Sequence, residues 1–201
     1  MYSRDCREIE HHALDSPDGL VDVIEFTLCS IQAGLSTIKL QRKDIAKVGF
    51  PSRFLWGKKR EGLRYAMKHR ERLWGKLVAL REASYDDVKT VCDAVDLLEA
   101  VPNLGLVKAS FVAQMLGFNV ACLDSHNLKR VGKTAAFTSL PKTLKPKTRR
   151  KKIVRYVSFC QERGSEYWWD TWCEHVAGNK ANRDLDTGDL VSRYHVQAVK
   201  M

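Results

Sequence analysis

The chain has no long apolar run, no Cys-x-x-Cys pair, no glycine-rich nucleotide loop and no strand-like alternation bounded by paired turn signals. Each absence excludes something. A membrane-spanning helix needs about 20 consecutive apolar residues, so no membrane partner is expected. The six cysteines, Cys6, Cys29, Cys92, Cys122, Cys160 and Cys173, stand singly, which supports neither a zinc site nor an iron–sulfur cluster. They read as buried thiols in a reducing compartment. The opening residues Met1 to Asp5 are polar and lack the apolar core of a secretion signal, so the expected location is the cytoplasm, or the host-cell cytoplasm if the source is viral. The histidines do not assemble a metal site: His11 and His12 are adjacent and cannot face one point on a helix, and His175 lies two residues from Cys173. Nucleophile elbows and carboxylate dyads are missing as well.

What is present is positive charge. The 201 residues carry a net charge of +10 with 44% hydrophobic residues, enough for a core and suited to a polyanionic partner. From Lys142 to Arg155 the bases Lys142, Lys145, Lys147, Arg149, Arg150, Lys151, Lys152 and Arg155 occur without an acid. A second basic run, Lys58, Lys59, Arg60, Arg64, Lys68, Arg70 and Arg72, has Phe54, Trp56, Tyr65 and Trp74 for neighbours. Such residues neutralise phosphates without choosing a base sequence, or form a solvated basic face.

Apolar spacing predicts helices throughout. Ser16-Pro17-Asp18-Gly19 is a capping turn before an apolar helix from Leu20 to Ile31. Ser36 to Val48 follows, and Pro51-Ser52 opens another segment. Glu61 to Arg81 is amphipathic, with Leu63, Met67, Leu73, Leu77 and Leu80 on its apolar side. Ser84 is expected to cap a helix from Asp86 to Ala100. Beyond Gly132, Pro141 and Pro146 among lysines suggest an exposed connector, then helices over Arg149 to Gln161 and Glu166 to Ala177, and a tail from Gly178. The aromatics Tyr167, Trp168, Trp169 and Trp172 read as a hydrophobic cap on the core.

The segment Val101-Pro102-Asn103-Leu104-Gly105-Leu106-Val107-Lys108-Ala109 carries the most functional content. Pro102 disfavours αR at Val101 and stops the preceding helix. Gly105 tolerates positive φ, so the chain reverses into a second helix through Val107, Phe111, Val112, Met115 and Leu116. The amides of Leu104, Gly105 and Leu106 are then expected to face outward at a helix N-terminus, where free donors and the dipole favour an anion. Asp124 stands just before the short basic stretch Asn127-Leu128-Lys129-Arg130, as an N-cap or as a reactive carboxylate.

These features resemble the helix-hairpin-helix DNA glycosylase superfamily. Its hairpin pattern, Leu-Pro-Gly-Val-Gly-x-Lys-Thr-Ala, is similar to residues 101–109, and its Val-Asp-Thr-His-Val-x-Arg-Val is similar to Leu123-Asp124-Ser125-His126-Asn127-Leu128-Lys129-Arg130-Val131. Leu28-Cys29-Ser30-Ile31-Gln32-Ala33 is similar to the loop whose glutamine enters the space left by a displaced base. The three matches occur in the family's order over about residues 20–135. Two departures accompany them. The lysine of bifunctional members is displaced by one residue to Lys108, a rotation of about 100° that is expected to turn it away from the pocket. The first hairpin glycine is Asn103, which also visits αL.

The resemblance implies an all-α, two-lobed helical domain with a helix-hairpin-helix motif at about 86–118 and a cleft between the lobes. Residues 1–135 would form the core, 136–152 a basic Pro/Lys linker and 153–201 C-terminal helices packing on the core. It implies a monomer that binds double-stranded DNA and turns a base out of the stack, because the glycosidic bond is inaccessible within it. Asp124 would stabilise the oxocarbenium-like transition state or activate water, with Lys108 as a candidate amine. Gln32 would fill the gap. Asn103, Leu104, Gly105, Leu106, Lys108, Lys129, Arg130, Arg149, Arg150, Lys151 and Lys152 would meet the strand. No cofactor is implied, although the family hairpin leaves room for a monovalent cation. Compact phage-type relatives suggest an alternative, transfer of an amino acid or polyamine onto an activated hydroxymethylpyrimidine in DNA. A non-catalytic DNA-binding protein is the third reading.

Overall fold

In the computed structural model, which describes residues 2–33, 35–48, 55–141 and 143–178, the chain is all-α. The helices are α1 Tyr2–Asp15, α2 Pro17–Ser30, α3 Leu35–Val48, α4 Gly57–Ala83, α5 Val88–Glu99, α6 Leu106–Met115, α7 Ser125–Arg130, α8 Pro146–Gln161 and α9 Gly164–Gly178, with a 3-10 turn at Ala135–Phe137. Among the described residues there is no strand, and no helix is long and apolar enough to cross a membrane.

Helix α2 is central because it is apolar on most sides. Ser16 Oγ accepts the Gly19 amide at 3.0 Å and Pro17 occupies the first turn, where a missing N–H costs nothing. Leu20, Val23, Ile24, Phe26, Leu28 and Cys29 are buried, and the helix packs against α1, α3, α4 and α6. Each such apolar side chain taken from water stabilises the fold by roughly 1.5–3 kcal/mol before entropy is charged against it. The buried residues of α1 to α9 join in one continuous core.

Helix α4 begins earlier than its apolar pattern suggests. Leu63, Leu73 and Leu77 are buried as expected, whereas Met67 is exposed. Gly62 explains how the next helices sit against it: a Cβ there would lie 2.3 Å from the Pro102 carbonyl oxygen. The hairpin backbone therefore rests directly on α4. At the start of α5 the cap is Asp87, not Ser84. Asp87 Oδ2 accepts the Thr90 amide at 2.8 Å, while Ser84 ends α4 and accepts the Asp87 amide at 3.0 Å.

The basic segment 136–152 is a connector only in part. Pro146 takes the first turn of α8, so residues 146–152 are already helical, and α8 packs on α5 and α9. Of the expected aromatic cap, Trp168 and Trp169 are buried and close the core, whereas Tyr167 is exposed. The tail from Asn179, Pro51-Ser52 with Phe54, and the side chain of Trp172 lie outside the described residues.

Candidate functional site

The turn between α5 and α6 differs in register from its sequence reading. The positive φ falls on Asn103, at 71°, and Gly105 is an extended N-cap with φ −77°. Leu104 is not a free donor: its amide bonds the Val101 carbonyl at 3.1 Å, which closes the turn, and its side chain is buried. The Leu106 side chain is also buried. Lys108 and Ala109 both donate to the Gly105 carbonyl, so at the start of α6 the amides with no partner among the described residues are those of Gly105, Leu106 and Val107. The anion-facing donors are thus shifted one residue along the chain. Asn103 Nδ2 is buried and has no hydrogen-bond partner among the described residues.

Lys108 does not turn into solvent. Its Nζ lies 3.4 Å from Ser30 Oγ, at the end of α2, and 5.4 Å from the Phe111 ring centre. On the same side stands Lys59 of α4, which is 1% exposed and donates to the Cys29 carbonyl at 3.2 Å. Burial holds the Lys59 amine below its ordinary pKa, the Cys29 thiol opposes this, and the Lys108 charge adds to the depression. Burial also pushes the Cys29 thiol up to about 12, so it stays protonated. Immediately beyond Ser30, Gln32 is exposed with φ 52°, a left-handed conformation that a non-glycine residue adopts at some cost.

Asp124, itself extended, ends a non-helical segment, residues 120–124, whose backbone is engaged by buried side chains. Tyr156 Oη donates to the Ala121 carbonyl at 2.7 Å and accepts the Leu123 amide at 3.0 Å. Gln114 Oε1 accepts the Cys122 amide, and Asn127 Nδ2 donates to the Cys122 carbonyl at 2.7 Å. Asp124 is therefore held in place by the segment before it and by its own cap: Oδ1 accepts the His126 and Asn127 amides, each at 3.0 Å. Oδ2 has no partner among the described residues. Burial pushes the Cys122 thiol up to about 11, with Lys108 pulling it down and Asp124 pushing it up.

The remaining basic residues divide into two groups. Lys129, Arg130 and Lys151 are exposed. Arg149 pairs with Asp96 and Glu99, and Arg150 pairs with Asp93 and Asp96 at 2.7 Å each, so their charge is spent on fixing α8 to α5. Lys152 donates to the Ser139 carbonyl at 3.0 Å. In the first basic run Lys59 is buried, while Lys58, Arg64, Lys68, Arg70 and Arg72 are exposed.

No protein-family model, curated protein or solved structure matches the chain. Sequence reasoning missed Lys59, Ser30 and the three side chains that hold residues 120–124. Lys59 did carry a signal: with Gly62, Leu63, Ala66, Leu73 and Leu77 it follows the i, i+3, i+4, i+7 spacing of the inward face.

Proposed function

We propose that the chain binds double-stranded DNA in a cleft and acts on a base turned out of the helix, with the chemistry of a DNA glycosylase. The observation that carries this reading is the fixed carboxylate of Asp124, with Oδ1 held by the His126 and Asn127 amides, together with the Lys108 amine against Ser30, two residues before the left-handed Gln32. Cleavage of a glycosidic bond develops positive charge on the sugar. A carboxylate that already has one oxygen fixed by two amides, and the other unengaged, is suited to meet that charge without reorganising. Lys108 is the candidate amine. The free amides of Gly105, Leu106 and Val107 suit a backbone phosphate at the start of α6, and Lys129 and Arg130 add exposed charge at the end of α7.

The test is incubation of the full chain with duplex oligonucleotides carrying a panel of modified bases. The expected result is an alkali-labile site at one of them, lost in Asp124→Asn while duplex binding persists. Borohydride should trap a covalent adduct in the wild type and not in Lys108→Gln if the amine attacks the sugar. A base whose mass changes while the strand stays intact would replace excision by transfer onto the base. Binding without any product would overturn the enzymatic reading.

A further inference from the structure

Past the end of α7 the chain forms a basic concavity that takes in Lys152 but neither Asp124 nor the turn between α5 and α6. Gly132, Lys133, Thr134, Ala136, Phe137, Lys152 and Arg155 line a cavity of about 350 Å³. Gly132 makes the bend with φ 64°, and nothing lies within 4 Å of where its Cβ would be, so the mouth is open at that point. Three cations face the space from two separate elements: Lys133 from the loop, and Lys152 and Arg155 one helical turn apart on α8.

What distinguishes these cations is the absence of acid. Arg149 and Arg150, on the same helix, are matched by Asp93, Asp96 and Glu99. Lys133, Lys152 and Arg155 have no carboxylate partner among the described residues. They are nevertheless placed by other contacts. Lys133 lies over the Phe137 and Phe159 rings at 5.8 and 5.5 Å, Arg155 lies over Phe137 at 5.4 Å, and Lys152 is tied to the Ser139 carbonyl. Three like charges converging on one cavity repel each other, and that repulsion is relieved when an anion enters. Arginine offers a planar fork to a phosphate, lysine a point charge, and Thr134, whose side chain makes no capping bond, a hydroxyl.

We propose that this cavity is a phosphate-binding site, with Arg155, Lys133 and Lys152 as the recognising cations and Thr134 as an additional donor. Two sources share this chemistry, a nucleic-acid backbone phosphate and a free phosphorylated compound. The helix between Asp124 and this site spans six residues, about 9 Å, so a strand engaged at the carboxylate could reach it. The site stands whether or not the chain modifies a base.

The experiment compares the full chain with Lys133→Gln/Arg155→Gln, and with the exposed Lys47→Gln/Lys76→Gln as a charge-matched control outside the cavity. Circular dichroism and thermal unfolding confirm that each variant folds. Inorganic phosphate is titrated against amide resonances at constant ionic strength, and duplex binding is measured as a function of salt. A free-phosphate site gives saturable shifts at Gly132 to Phe137 that the cavity variant loses and the control keeps. A backbone-phosphate site lowers the salt slope by about 0.9 per contact removed in the cavity variant and by less in the control. The proposal is overturned if phosphate produces no saturable shift and the slopes of the two variants agree. If the cavity variant does not fold, Arg155→Lys is used: it keeps the charge, and unchanged binding in both assays then overturns the role given to the guanidinium.

Discussion

A lysine buried at 1% exposure is the most telling single residue of the molecule. Lys59 gives one hydrogen bond to Cys29 and lies near the Lys108 charge, so its ammonium form is disfavoured in the folded state. Its folded pKa is below the ordinary 10.5, which means that the unfolded chain binds more protons between the two values. Stability therefore rises with pH across that window, and the penalty is fully present below it. Lys59→Met, close in volume and without charge, should stabilise the protein at pH 7 by about 1 kcal/mol. The gain should shrink as pH approaches 10.5. Thermal unfolding at several pH values checks this, and a Met variant that is less stable at every pH would show that the Cys29 contact outweighs the desolvation cost. At this scale the sequence was partly readable. The inward spacing of Lys59 was visible, but its charged neighbours Lys58 and Arg60 made the run look like one solvated patch. The reach of Lys108 was not readable for a related reason: a four-carbon side chain at the third position of α6 spans back to Ser30, which helical rotation alone does not reveal.

Among the elements, the non-helical segment 120–124 depends on distant side chains. Tyr156 both donates to and accepts from it across the core. Tyr156→Phe leaves the Ala121 carbonyl and the Leu123 amide buried without that partner, a cost of about 1–3 kcal/mol for each unsatisfied group. The expected outcome is a loss of stability of at least that size in denaturant unfolding. Any activity that depends on Asp124 should fall more than stability alone explains, because the carboxylate loses its fixed approach. An unchanged midpoint would mean that the hydroxyl contributes nothing to holding this segment. The helices themselves were legible from period and caps: Ser16 and Pro17 announce α2, and Pro102 marks the end of α5. The fastening of residues 120–124 was not, because Gln114, Asn127 and Tyr156 look like ordinary helix residues until tertiary packing brings them together. Which residue takes the left-handed conformation was also undecided locally, since Asn103 and Gly105 both tolerate it and only the turn's hydrogen bond to Val101 selects the first.

For the whole molecule, charge is arranged differently from its sum. The net +10 includes two arginines whose work is internal, since Arg149 and Arg150 attach α8 to the acidic face Asp93, Asp96 and Glu99 of α5. That face has acids three apart on one helix and was visible, but its partner could be named only once α8 was placed. Arg149→Met should destabilise the fold by about 1–2 kcal/mol, less at high salt, because the pair is only partly shielded from solvent. The same change should leave the salt slope of duplex binding unaltered. A fall in that slope as large as for an exposed lysine would mean that Arg149 reaches a phosphate after all.

A stretch as apolar as Val120 to Leu123 would be a liability at a surface, where a second polypeptide could pair with it. Here it is sunk in the core, and the Ala121 carbonyl, the Cys122 amide and carbonyl and the Leu123 amide are engaged by side chains of the same molecule. The folded protein thus keeps this strip out of reach, and concentrated solutions should begin to associate only under conditions that first release Tyr156 and Gln114.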